Sequence, residues 1–284
     1  MKVAVVVLHY KVDAITVECV DKLLNQNNDN LRIIIVDNNS SNGSFEILRD
    51  RYQNNEKVYL VSIEYNLGFA KANDLGYQIA KHKFESEIIL VINNDLFIDD
   101  TEFINEVIKV YKEEEFDILG PDIVNLNGQH QNPLKGCIES LEDVEKYLFM
   151  IKIKIFLLPV FYKLKKEKSI EGAEIAKKTV IGVPLHGACL IFGKNFVKEV
   201  EYPFYPDTFL FGEEDILYFR AKQNGLKMLY KSELVVRHME DVSTKSIMES
   251  SLEKRLFELR NSYTSLKILK KLMLENKNSK INKN

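Results

Sequence analysis

Three short clusters of acidic and amide side chains have the residue types of an active site. They are Asp37-Asn38-Asn39, Asn93-Asn94-Asp95 and Gly212-Glu213-Glu214-Asp215. Oxygen atoms of this kind hold hard cations such as Mg²⁺, and carboxylates also act as general bases in proton transfer. The clusters therefore predict an enzyme.

The first two clusters follow apolar, β-branched runs at residues 33–36 and 88–92, which predict strands. Similar runs at 3–8 and 58–63 alternate with segments whose apolar residues recur at helical spacing. This alternation predicts βαβ units, and hence an α/β fold with a mostly parallel sheet and helices on both faces. Because open α/β sheets bind ligands at the carboxyl ends of their strands, the acids are expected to meet at that edge. The predicted helices are residues 14–24, 45–52, 69–82 and 102–111.

Length and charge restrict the class of protein. With 284 residues, of which 45% are hydrophobic and 29% charged, the chain can bury the core of one large α/β domain. Its net charge of −3 provides no attractive field for a polyanion, so nucleic acid is not an expected partner.

The cysteines and the apolar segments indicate a cytosolic protein. Cys19, Cys137 and Cys189 are widely spaced and form no CxxC motif, which is typical of reduced thiols. No signal peptide is expected at the N-terminus. The longest strongly apolar run, residues 155–162, is far shorter than the roughly 20 residues that a membrane-spanning helix needs.

Four motifs occur in an order that is specific as a set. They are Val36-Asp-Asn-Asn-Ser-Ser-Asn-Gly-Ser44, Asn66-Leu-Gly-Phe-Ala-Lys-Ala-Asn73, Leu90-Val-Ile-Asn-Asn-Asp95, and His186-Gly-Ala-Cys-Leu-Ile191 followed by Phe209-Leu-Phe-Gly-Glu-Glu-Asp215 and Arg220. Over residues 3–265 the chain resembles the family 2 glycosyltransferases with a GT-A fold, particularly their bacterial rhamnosyltransferase-like branch. The resemblance implies inverting transfer of a hexosyl or deoxyhexosyl group from a UDP- or dTDP-sugar to a hydroxyl of a glycan or lipid-linked glycan, in surface polysaccharide synthesis, usually with Mn²⁺ or Mg²⁺.

The resemblance also implies roles for individual residues. Those expected to bind the donor are His9, Tyr10, Asp37, Asn39, Asn66, Gly68, Asn73, Asn94 and Asp95. Those expected to hold the metal are Asp95 and His238, and those expected at the acceptor or sugar pocket are His186, Gly187 and Arg220. The expected base is Glu214, with Glu213 and Asp215 as the other candidates.

Two of these motifs depart from the family pattern. Asn93-Asn94-Asp95 has asparagines where the acid-rich version has a carboxylate, so the metal is expected to bind weakly without the donor. The family pattern Gly-Glu-Asp has aspartate as the base, and here Glu214 stands at that position. Structural explanations remain open beside the functional ones: Asp37 as the cap of a turn, Asn66 as the cap of a helix, and the three acids as partners of a helix dipole.

The resemblance implies a Rossmann-like domain at 1–265 with a C-terminal helical extension, and a basic tail at 266–284. Within the domain, residues 1–120 are expected to bind the nucleotide, and residues 121–265, with a helical insertion at about 137–180, to form the acceptor and catalytic half. Residues 146–168 and 266–284 combine lysines with apolar side chains. This composition suits either contact with an anionic membrane surface or packing on the domain, and the apolar insertion is equally compatible with a homodimer.

Two other functions compete with glycosyl transfer. A sugar nucleotidyltransferase shares the fold class, but the chain lacks the early glycine-rich, basic phosphate loop expected for that reaction. A noncatalytic protein that binds sugar nucleotides is the other alternative, and it would leave the acids without a chemical role.

Overall fold

The structure is a computed structural model that describes residues 1–161, 179–239 and 251–281. The first half alternates strands and helices. Its elements are β1 (Val3–His9), α1 (Asp13–Leu24), β2 (Leu31–Asp37), α2 (Ser44–Tyr52), β3 (Val58–Ser62), α3 (Gly68–Gln78), β4 (Ile88–Asn93), β5 (Leu96–Phe97) and α4 (Phe103–Glu114). A single π-helical turn, Ile79–Lys83, continues α3.

The first four strands form the parallel part of the sheet in the order β3-β2-β1-β4. The side chains of β1, β2 and β4 are almost entirely buried because helices cover both faces, which explains their continuous apolar sequences. In register, His9 lies beside Asp37, and Leu8 lies beside Asn93. The carboxyl ends of these strands therefore bring the first two clusters to one edge of the sheet.

The second half makes the sheet mixed. Its elements are β6 (Ile118–Asn125), α5 (Leu141–Phe161), β7 (Thr179–Ile181), β8 (Cys189–Phe192), α6 (Lys194–Glu199), α7 (Glu213–Gln223), β9 (Met228–His238) and α8 (Ser251–Ile281). β8 lies antiparallel between β4 and β6, β9 runs parallel to β6, and β5 and β7 pair antiparallel with β9. This is the predicted α/β architecture, in which strands from the second half complete a parallel first half.

Two apolar cores lie on opposite faces of the sheet. On one face α1 and α4 bury residues such as Leu23 and Val107 against β1, β2 and β4. On the other face α3, α6 and α7 bury Tyr77, Phe196 and Leu217. Helices on both faces hold the strands rigidly, so the loops at their carboxyl ends have a fixed base.

α5 and α8 pack together as a helical layer beside α7. The contact is formed by buried apolar side chains, which are Val144, Ile151, Leu266, Leu269 and Met273. Ile216 of α7 belongs to the same buried cluster. α8 continues through residues 266–281, the segment assigned to the basic tail, and part of the predicted insertion, residues 162–178, lies outside the described residues. Among the helices of the described ranges, none has an apolar stretch of the length that would cross a membrane.

Candidate active site

A cavity of about 680 Å³ opens at the carboxyl ends of β1 and β4. It is bounded by the loop before α3, the loop after β4, the segment before β8 and the start of α7. Its size lies within the range of small-molecule sites. The predicted site residues that line it are Tyr10, Asn66, Gly68, Asn94, Asp95, His186, Gly187, Glu213, Glu214 and His238.

Asp95 and His238 face each other in this cavity. Their contact follows from strand pairing, since Leu96 of β5 lies in register with His238 of β9 and the N–H of Met239 donates to the carbonyl of Asp95 at 2.9 Å. His238 Nε2 lies 3.4 Å from Asp95 Oδ1, while Nδ1 bonds to Gln131 Oε1 at 2.7 Å. With Nδ1 bonded to Gln131, Nε2 is the ring nitrogen that faces the carboxylate.

The environment of Asp95 suits a cation. Asp95 is only 5% exposed, and its Oδ1 is buried without a hydrogen-bond partner. A divalent cation between this oxygen and His238 Nε2 would contact both atoms, and carboxylate oxygen and imidazole nitrogen are both metal ligands. Mg²⁺ and Mn²⁺ are held by one or two protein carboxylates together with substrate phosphates and water. Within the described ranges no cluster of three or more acidic, histidine or cysteine side chains forms a metal site. Asp95 and His238 are two ligands of the types that such a cation takes.

His186 lies edge-on to His238, with ring centroids 6.0 Å apart. Its Nδ1 accepts a hydrogen bond from the backbone N–H of Ala188 at 3.1 Å, and the backbone N–H of His186 donates to Asn132 Oδ1 at 3.0 Å. Nδ1 is therefore the unprotonated nitrogen of neutral His186, and Nε2 is the one that carries hydrogen. A hydrogen-bond donor at this position suits an oxygen-rich ligand.

The acid cluster begins α7 directly after a tight turn. Phe211 and Gly212 both have positive φ angles, 68° and 91°, which turn the chain so that the helix starts at Glu213. Glu213 is 5% exposed and its Oε1 has no hydrogen-bond partner. Burial, with the neighbouring charge of Glu214, raises the pKa of Glu213 to about 8. At neutral pH this side chain is therefore a hydrogen-bond donor as well as an acceptor.

Glu214 and Asp215 point in different directions. Glu214 packs on Gly187, where an added Cβ would lie 2.6 Å from its Oε1. Burial raises the pKa of Glu214, while the N–H groups of Gly187 and Gly212 lower it. Asp215 does not line the main cavity; its Oδ1 accepts from the N–H of Ile138 at 3.3 Å, and burial raises its pKa to about 6.

Replacing Glu213 by Gln is expected to stabilise the protein at alkaline pH. Because the pKa of folded Glu213, about 8, exceeds the value of about 4.3 in an unfolded chain, the free energy of unfolding falls as pH rises between those values. Gln stays neutral at every pH. The free energy of unfolding of Glu213→Gln should therefore exceed that of the wild type by about 2 kcal/mol or more at about pH 9, and the two should be equal near pH 4. Thermal unfolding across this pH range measures the difference, with exposed Glu233→Gln as the control. Parallel curves for wild type and Glu213→Gln would contradict the assignment.

The loop before α3 is held against the loop before α7. Asn66 Oδ1 accepts from Asn38 Nδ2 at 3.0 Å and from the N–H of Gly68 at 2.8 Å. The N–H of Phe69 donates to the carbonyl of Phe209 at 2.6 Å, and a Cβ on Gly68 would lie 2.4 Å from that oxygen. The close contact of these two loops leaves room for a glycine alone at position 68.

Two of the predicted donor contacts are buried beneath the cavity. His9 bonds to Thr16 Oγ1 at 2.7 Å and to Ser44 Oγ at 2.9 Å, and burial lowers its pKa to about 4, so it stays neutral. Asp37 accepts from the N–H of Ser40 at 3.2 Å, as a turn cap does, and from the hydroxyl of Ser62 at 3.1 Å. Neither side chain lines the cavity.

Three further predicted residues also lie away from the cavity lining. Asn39 is exposed with a φ of 62°. Asn73 is fully buried in α3, and neither atom of its amide has a hydrogen-bond partner. Arg220 donates to the carbonyls of Pro203 and Tyr202 at 3.0 and 3.2 Å, and therefore holds the segment that precedes α7.

Several cavity residues were not among the sequence candidates, and Asn38, Gln131 and Phe257 are three of them. Asn38 lies inside the first acidic and amide cluster, and that neighbourhood was the available signal. Gln131, the partner of His238, follows a turn and has no local signature. Phe257 reaches the cavity from α8 and lies edge-on to Phe209 with ring centroids 6.4 Å apart. Only the assembled fold identifies the last two.

Similarity to a known family covers the first half of the chain. The family described as "Glycosyl transferase family 2" matches residues 4–151. Glycosyltransferase GlyG of Streptococcus pneumoniae serotype 4 is 26% identical over 177 residues, which are 58% of this chain and 57% of GlyG. The match thus spans little more than half the length of that relative.

Solved structures share the fold at low sequence identity. Staphylococcus aureus TarS, residues 1–349, in complex with UDP-GlcNAc has a TM-score of 0.55 and 18% identity, with 91% of this chain and 64% of that chain covered. GalNAc-T7 with UDP, GalNAc and Mn²⁺ has a TM-score of 0.57 and 15% identity, with 84% and 44% covered. At these identities the likeness establishes the architecture of the sheet and its flanking helices.

Proposed function

The chain belongs to glycosyl transferase family 2, and we propose that it transfers a sugar from a nucleoside-diphosphate donor to an acceptor hydroxyl in the cavity beside Asp95 and Glu214. The observation that carries this proposal is the unpartnered Oδ1 of Asp95 facing His238 Nε2 at 3.4 Å. That pair suits a divalent cation shared with a diphosphate. Glu213 and Glu214 line the same cavity and supply the carboxylates that transfer needs.

Asp95 and His238 would hold Mn²⁺ or Mg²⁺, which would supply charge neutralisation for the departing diphosphate. The donor contacts proposed on the cavity wall are Tyr10, Asn66, Gly68 and Asn94. Asp37, with His9 and Asn39 beside it, supports the base and ribose end of the donor from below. Asn73 supports the α3 loop from inside its helix.

In the proposed reaction Glu214 accepts the proton of the acceptor hydroxyl. The hydroxyl oxygen then forms a bond to the anomeric carbon of the donor sugar, while the bond from that carbon to the diphosphate oxygen breaks and leaves its electron pair on the diphosphate. Attack opposite the leaving group inverts the anomeric centre. Glu213, neutral at pH 7, hydrogen-bonds the donor sugar, and His186 and Gly187 form the wall on which that sugar lies.

The proposed donor is a UDP- or dTDP-linked hexose or deoxyhexose. TarS with UDP-GlcNAc and GalNAc-T7 with UDP support a uridine nucleotide. The order of motifs along the chain supports the bacterial rhamnosyltransferase-like branch, and with it a glycan or lipid-linked glycan acceptor in surface polysaccharide synthesis.

We also propose that the protein contacts a membrane surface from the cytoplasmic side. α5 exposes Phe149, Ile153, Phe156 and Leu157 on the side away from its packed residues, between exposed lysines. An apolar face flanked by cations suits an anionic membrane. The basic stretch continues to residue 168, and its residues 162–168 lie outside the described residues. Sedimentation with anionic vesicles tests this contact, and dimerisation through the same face is the competing outcome.

Thermal unfolding with nucleotides tests the proposed function without any knowledge of the acceptor. UDP, dTDP, ADP, GDP and their sugar derivatives are added singly, each with and without Mn²⁺. A ligand at about a hundred times its dissociation constant adds about 2.7 kcal/mol to the free energy of unfolding. We expect one pyrimidine diphosphate to raise the melting temperature by about 5 °C or more, and Mn²⁺ to increase that effect. A folded sample that responds to none of them contradicts the proposal and favours the noncatalytic alternative.

A further inference from the structure

A second cavity, of about 310 Å³, also reaches Glu214. Its walls come from the loop that precedes α5, from α5 and α8, and from the first residues of α7. Glu214 lines both cavities, whereas Asp215 lines only the second. The carboxylate of Glu214 therefore lies where two spaces of ligand size meet.

The second cavity has a polar end and an apolar body. Glu214, Asp215 and Ser262 form the polar end, where Asp215 is held by the N–H of Ile138. The apolar walls are formed by Leu134, Ile138, Tyr147, Ile151 and Leu266. Tyr147 is 45% exposed and stands at the open side, and exposed Lys135 lies at the same rim.

We propose that the second cavity binds the acceptor, and that the acceptor is an amphiphile with a hydroxylated head and an apolar body. This inference rests on the proposed function, because it takes Glu214 as the base. A base that serves transfer must reach the acceptor hydroxyl on the side away from the donor's leaving group. The carboxylate of Glu214 satisfies this condition when the donor occupies the main cavity and the apolar body of the acceptor occupies the second. The reacting hydroxyl of the head then lies beside Glu214, where the two cavities meet, in contact with the anomeric carbon of the donor.

The walls decide the class of acceptor. A purely polar oligosaccharide would place its hydroxyl groups against the apolar side chains of α5 and α8. Each hydroxyl that loses its hydrogen bonds to water there and gains no partner costs free energy. An alkyl or aromatic body beside Tyr147 and Ile151 buries apolar surface on both partners. The hydroxyl of the head can then hydrogen-bond to Glu214 or Asp215, which fixes its orientation.

Photolabelling with an alkyl glycoside tests the proposal. The probe is octyl glucoside with a diazirine in its alkyl chain, used below its micelle concentration in the presence of UDP and Mn²⁺ and mapped by peptide mass spectrometry. We expect labels within residues 134–151 and 262–266. Octyl glucoside should compete with the probe and methyl glucoside, which has the same head without the chain, should not.

A matched pair of variants on α5 distinguishes this cavity from general apolar adhesion. Tyr147 lines the cavity, whereas Phe149, 66% exposed on the same helix, does not. We expect Tyr147→Ala to weaken labelling about tenfold, the effect of losing one aromatic contact, and Phe149→Ala to leave it unchanged. The gain in melting temperature with UDP is measured on every sample, and it shows whether the protein is folded with its nucleotide site intact.

The outcomes separate the two proposals. Labelling elsewhere, equal loss in both variants, or no labelling of a protein that UDP stabilises would overturn the acceptor cavity and leave the donor site standing. A folded wild-type protein that UDP and other nucleotides do not stabilise would instead overturn the proposed function on which this inference rests.

Discussion

Glu214→Gln is expected to lower the rate of sugar transfer by about 10² to 10⁴-fold, the contribution of a positioned general base. Gln has the shape of Glu and can remain against Gly187, where there is no room for a larger rearrangement. It cannot accept the proton of the acceptor hydroxyl. The nucleotide should therefore bind as before while turnover falls.

Release of nucleoside diphosphate from the most stabilising sugar nucleotide measures this loss, first with water and then with an alkyl glycoside as acceptor. Glu233→Gln, an exposed replacement on β9, is the control for the change of charge.

Burial raises the pKa of Glu214, and the base acts when deprotonated. The wild-type rate should thus decline with falling pH above the ordinary range of a glutamate, and the residual rate of the variant should lack that decline. Full activity in both Glu214→Gln and Glu213→Gln would exclude these carboxylates as the base.

Asp95→Asn is expected to remove the Mn²⁺-dependent part of nucleotide binding, with a loss of at least about 100-fold in the affinity for UDP with Mn²⁺, or about 2.7 kcal/mol. The replacement removes the carboxylate charge and leaves His238 as the remaining proposed ligand. The ligand-free protein should be at least as stable as the wild type, because the buried Oδ1 has no hydrogen bond to lose.

Melting temperatures of Asp95→Asn with UDP, with and without Mn²⁺, measure this effect. Asp29→Asn is the matched control, since Asp29 is fully exposed and far from the cavity lining. The proposed metal site is wrong if Mn²⁺ enhances UDP binding equally in wild type and Asp95→Asn. A variant that melts earlier without any ligand would indicate a structural role for the carboxylate.

The first half of the fold was predictable because its signals are local. The apolar run 88–92 predicts a strand, and β4 is Ile88–Asn93. The run is readable because a strand covered on both faces needs continuous apolar residues and no alternation. The placement of Asn94 and Asp95 at the edge of the cavity follows directly, since parallel strands direct their carboxyl ends to one side.

The second half was not predictable in the same way, because its contacts join distant residues. Gln131 reaches His238 across 107 positions of the chain, and Phe257 reaches the cavity from a helix that also packs on α5. The same limit applies to the acids of α7. Their spacing does not reveal that Glu214 faces Gly187 while Asp215 turns to Ile138, because both partners come from other loops.

The position of β8 between β4 and β6 has a consequence for synthesis of the chain. β4 carries the sequence Ile-Ile-Leu-Val-Ile-Asn, and one of its edges pairs with β1, which precedes it in the chain. Its other edge receives Cys189–Phe192, which emerges almost a hundred residues later. Until then an uncharged, strongly apolar strand edge is open to pairing with another nascent chain. We therefore expect fragments that end before residue 189 to aggregate. We also expect chaperones to protect the nascent chain until β8 has been made.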